Sequence, residues 1–152
     1  MLILGVIAGQ QSPLYAGYTA AVMADSPVAY WRLDETAGTN AVDSSGNSYD
    51  GTYENGYTLD QPPINNAGRS VAFDGTSQSG VTVGSEAALR LTGDVTLEAW
   101  VNVDAFSQNQ YIVQCAGANN DGSAENFLYG FAINTSGILY EFHENGAGVN
   151  VT

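Results

Sequence analysis

The sequence predicts an all-β, antiparallel fold, and three observations carry that prediction. Short apolar runs recur at spacings of about 8 to 15 residues, the rhythm of a sandwich or barrel. One of them, VTLEAWVNV at 95–103, alternates strictly, so Val95, Leu97, Ala99, Val101 and Val103 share one face of a strand. Between the runs lie turn-forming clusters of Gly, Ser, Thr and Asn, and no alternation of strand and helix patterns suggests a parallel sheet.

Taken in order, residues 1–13 form an apolar, then polar leader ending at Pro13, with Leu2, Ile3, Leu4, Val6 and Ile7 as its apolar part. In LYAGYTAAVMAD, residues 14–25, Leu14, Tyr18, Ala21, Val22 and Ala24 fall at helical spacing, and Pro27 forbids continuation. This predicts one short N-terminal helix, so that 1–26 is a leader with a helix and 27–152 is the β domain. SPVAYWRL, from residue 26, places Tyr30 and Trp31 in a strand, and DSSGN at 43–47 supplies turn chemistry. SVAFDG (70–75) and SGVTVG (79–84) read as a hairpin, and 95–103 as the next strand. YIVQCAG (111–117), NFLYGFAIN (126–134) and ILYEFHE (138–144) follow, with TSG at 135–137 turning between the last two. GAGVNVT then opens a strand and stops, which predicts an incomplete sheet edge completed by further chain or by another subunit.

Charge narrows the function. The net charge is −13, yet charged residues are only 12% of the chain; Arg32, Arg69 and Arg90 are the sole basic residues and there is no Lys. Such a surface cannot neutralise phosphates, which argues against nucleic acid and anionic lipid as partners. No apolar run approaches the roughly 20 residues that span a bilayer. Cys115 is the only cysteine, set in a strand-like run, where a lone thiol behaves as a small hydrophobe.

SPVAYWRLDETAGTNAVDSSGNSYDGTY, GRSVAFDGTSQSGVTV and LTGDVTLEAWVNV together resemble the laminin-G-like modules of the concanavalin-A-like superfamily. There an aromatic strand, a DSSGN-type loop, an F-D-G hairpin and a TLEAWV strand occur in this order. The resemblance spans residues 27 to 144 and implies an antiparallel jelly-roll β-sandwich, truncated at its C-terminal end.

It also implies a cofactor. Such modules often bind calcium, which needs several oxygen ligands, and Asp43, Asn47 and Asp74 stand in the two matching loops. Asn120, Asp121 and Glu125 form a second choice. Neither stretch fits the EF-hand spacing, and the same residues also make plain turns. Trp100 lies opposite the apolar face of its strand, which makes it the candidate to stack on a sugar, although structural packing is the commoner role of a large aromatic. Some relatives hydrolyse glycosides with paired carboxylates. Here Glu98 with Asp104, and Glu141 with Glu144, do not reproduce the required alternation, so no enzyme is expected.

The expected function is therefore a non-enzymatic structural or adhesion module of a virion. The opening MLILGVIAGQQSPLY resembles the starts of bacteriophage tail or surface proteins. The leader would contact other virion proteins, excluded from solvent in a symmetric homo-oligomer, and the sandwich would face a host glycan. The alternative is a secreted bacterial carbohydrate-binding module of a larger cell-surface protein, with residues 1–24 as an atypical signal.

Overall fold

A computed structural model describes residues 13–63, 68–76, 78–91, 93–116, 127–144 and 149–151. They form one helix and nine strands in three antiparallel sheets, so the protein is all-β apart from its short N-terminal helix. The leader 1–12 lies outside the described residues. The chain divides into two compact units, 1–84 and 85–152.

In the first unit, helix α1 (Pro13–Ala24) begins on the proline, whose fixed φ suits a first helical turn, and ends before Pro27 as the sequence requires. Strands β1 (Asn40–Ala41), β2 (Gly51–Glu54), β3 (Tyr57–Gln61), β4 (Ser70–Phe73) and β5 (Gly80–Val83) follow. The expected hairpin of 70–75 with 79–84 is not made. Its two strands form, but β4 pairs with β3 and β5 with β2. Residues 51–61 and 70–83 are in effect one long antiparallel ribbon, interrupted where Asn55 and Gly56 oppose the longer stretch between Phe73 and Gly80. Asn55 (φ 37°) and Gly56 (φ 38°) both take left-handed backbone. That is why Asn-Gly occupies the break.

Side chains and backbone tie this break from both sides. Asp74 N donates to Gly56 O at 2.8 Å, Ser79 Oγ to the same oxygen at 3.2 Å, and Asn55 Nδ2 to Gln78 O at 3.3 Å. The core of the unit is small: Ala41 and Tyr53 are buried, and the Tyr53 ring stacks on Tyr57 at 5.0 Å with Phe73 beyond. The strand expected at Tyr30 and Trp31 reduces to a single bridge between Trp31 and Asp43.

In the second unit the four-stranded sheet runs β6 (Gln110–Ala116), β7 (Phe127–Ile133), β8 (Leu139–Glu144) and β9 (Val149–Val151), each strand beside the next in sequence. The β7–β8 turn is fixed by Asn134, whose Oδ1 accepts from Ser136 N and Ile138 N, with Gly137 at φ 75°. The last strand is not left without a partner: β9 pairs with β8, so only its outer edge is open within this sheet.

The strand expected over 95–103 is not formed. These residues carry no regular structure, Val95, Trp100 and Val101 are exposed, and only Leu97 and Val103 are half-buried. Alternation allows a strand but does not supply a neighbour, and β6 is bonded to β7 alone within its sheet. Residues 97 and 103 remain the inward-leaning positions, whereas Ala99 is exposed.

Candidate functional site

Of the residues the sequence singles out, Asp43 is the most deeply set, with 7% of its surface exposed. Its Oδ1 accepts from Tyr30 N at 2.8 Å and Ser45 N at 2.9 Å; its Oδ2 accepts from Ser45 Oγ at 2.7 Å and Tyr49 N at 3.0 Å. Its own amide donates to Asp50 Oδ1 at 2.8 Å. One carboxylate thus gathers residues 30, 45 and 49 around itself. Burial raises its pKa, but the bonds from Tyr30, Ser45 and Tyr49 outweigh that and hold it below the usual carboxylate range. DSSGN is a turn knotted on its own first residue.

This bears directly on calcium. Each Asp43 oxygen already accepts two hydrogen bonds, so a cation could bind it only by displacing them. Asn47 belongs to the same loop, its Nδ2 donating to Val28 O at 2.9 Å. Asp74 bonds elsewhere: its Oδ1 accepts from Thr76 N and Thr76 Oγ1, both at 2.9 Å, and these bonds lower its pKa. Among the described residues no group of three His, Cys, Asp or Glu is placed to hold a metal ion. Asn120, Asp121 and Glu125 lie outside the described residues.

The two tryptophans separate cleanly. Trp31 is half-buried, and its Nε1 donates to Tyr49 O at 2.8 Å, which makes it part of the Asp43 loop. Trp100 is 59% exposed. A large aromatic left in water is the more informative of the two, because burial would otherwise be its main contribution.

Glu98 stands in the irregular stretch before β6, and positions 141 and 144 have opposite parity along β8. The side chains of His143 and Glu144 lie outside the described ones. Cys115 is half-buried, its Sγ donating to Leu89 O at 3.4 Å beside the hydroxyl of Tyr129, which donates to the same oxygen. Burial, with Cys115 alongside, pushes the Tyr129 phenol up to about 12.

Sequence reasoning missed two polar clusters. Glu35 accepts from Val42 N at 2.9 Å and from Tyr53 OH at 2.6 Å, and burial followed by Glu35 raises the Tyr53 pKa well above its ordinary value. Tyr111 and Tyr140 flank Ala132 on one face of the second sheet. Both clusters join residues far apart in sequence, and only tyrosine abundance hinted at them.

No protein-family model, curated protein or solved structure matches this chain.

Proposed function

We propose that this chain is a non-enzymatic adhesion module, a laminin-G-like jelly roll in a virion tail or surface protein, that binds a host glycan. The observation that carries the glycan reading is Trp100, an indole left 59% exposed. Sugar rings present C–H faces that pack on such a ring, and the surrounding hydroxyls need amide and hydroxyl partners, not charges. With three Arg against sixteen Asp and Glu, the surface repels polyanions and favours a neutral saccharide. The jelly roll and the virion setting rest on the four ordered segments and on the opening MLILGVIAGQQSPLY; the antiparallel sheets agree with the first.

The test is binding of neutral cell-surface polysaccharide to the purified protein, read by calorimetry. Trp100→Ala should weaken binding at least about tenfold, the range expected for losing an aromatic anchor. Binding that ignores this substitution removes Trp100 from the site. Release of reducing sugar during the same incubation would overturn the non-enzymatic reading. Intact mass decides the setting: retention of residues 1–24 in the natural protein supports the particle, and a mature chain starting at Asp25 supports a secreted module.

A further inference from the structure

The second sheet has two unlike faces. Directly paired residues share a face, so Cys115, Tyr129, Phe131 and Glu141 stand on one side and Tyr111, Ala132 and Tyr140 on the other. The first face carries its own cover: Tyr129, 7% exposed, and Cys115 both bond Leu89 O, at the end of the short 3-10 turn Ala87–Leu89. Among the described residues, the second face is roofed by its own aromatic rings. Phe142, 3% exposed, lies under Tyr111 (5.9 Å), Phe127 (5.4 Å) and Tyr140 (6.4 Å). Gly130 makes room for it, since a Cβ there would stand 2.5 Å from Phe142 Cζ.

On top of that layer Tyr111 is 52% exposed and stands on the same face as half-buried Tyr140, the two flanking the fully buried Ala132. A ring held against Phe127 and Phe142 presents an apolar face at little entropic cost. Gln114, exposed on the same face opposite Gly130, adds an amide. No described side chain on this face is charged, and the chain as a whole carries a net charge of −13. An uncharged patch of rings, phenols and an amide on so acidic a chain disfavours anionic ligands and matches a ligand of alternating C–H faces and hydroxyls.

We infer that the Tyr111–Tyr140 face of the β6–β8 sheet is a saccharide platform for a neutral glycan, with Tyr111 as the stacking ring. The inference rests on the glycan reading proposed above but places the main subsite away from Trp100.

The experiment titrates the full chain with the neutral hexasaccharides cellohexaose, maltohexaose and mannohexaose, and with hexagalacturonic acid as the anionic control, by calorimetry. At least one neutral sugar should bind and the acid should not. Tyr111→Ala should weaken binding about tenfold or more, whatever Trp100→Ala does. Tyr111→Phe should recover most of that loss. Neutral binding that Tyr111→Ala leaves intact and Trp100→Ala abolishes overturns the platform and leaves the proposed function standing. If none of the neutral sugars binds, the platform and the glycan reading fall together. A dimer in light scattering that Tyr111→Ala dissociates would overturn the inference too, since the face would then be covered by a second copy.

Discussion

Removing the Asp43 carboxylate would leave the amides of Tyr30, Ser45 and Tyr49 without their shared acceptor at a site 7% exposed. Asp43→Ala should therefore cost about 3 kcal/mol, the scale of losing several bonds to one buried charge. Denaturant unfolding in the presence of a chelator checks it. The pH dependence has a definite sign. The folded pKa of Asp43 lies below its ordinary 3.8, so its contribution is present above that value and disappears as pH falls through the folded pKa. Asp43→Ala should flatten the acid limb of the stability curve in that window. Half of this knot is legible in the sequence: Asp43 to Ser45 is an Asx turn that DSSGN announces, whereas the bonds to Tyr30 and Tyr49 close loops that no local pattern encodes. Gly130 was equally silent, an ordinary glycine until the Phe142 ring is seen lying on it. Gly130→Ala should cost roughly 1–3 kcal/mol by overpacking, measured by the same unfolding.

At the scale of elements, the strand-forming residues were mostly readable and their partners were not. Alternation located β4, β5, β6, β7 and β8 because side-chain period is local. Pairing is a long-range choice, and β4 takes β3 in place of the nearer β5 because the ribbon from 51 to 61 offers both arms at once. GTYENGYTLDQ has an Asn-Gly hairpin signal at its centre, yet its two arms pair with β5 and β4 and not with each other. Gly56 carries both a left-handed φ and the close approach of the Asp74 carboxylate, so Gly56→Ala should destabilise the break and weaken amide protection in β3 and β4 together. Residues 95–103 are the opposite case, a strong pattern with no ladder. Their amides should exchange much faster than those at the centre of β7, which is bonded on both sides; slow exchange there would show that the pattern had found a partner after all.

Over the whole molecule, charge is the property that sequence sets most directly. Sixteen acidic residues face three Arg. Arg32 is engaged with its neighbour Asp34, and Arg69 with Asp60 at 2.6 Å, where both side chains are about half exposed and screening leaves such a pair little to contribute. The remaining carboxylates repel one another through solvent over distances comparable with the Debye length, about 10 Å at 0.1 M salt. Added sodium chloride should therefore raise the thermal midpoint at neutral pH, and the gain should shrink as the pH approaches the isoelectric point near 4.1. Acidification thus has two opposed effects. Protonating exposed carboxylates relieves repulsion first, and only below the ordinary 3.8 of Asp43 does the knot at residues 30–49 begin to lose its bonds. Stability should pass through a maximum on the acid side of neutrality and then fall steeply. Thermal melts across pH at low and high salt test this. A midpoint that declines from neutrality downward even at low salt would mean that repulsion is not the dominant whole-molecule term.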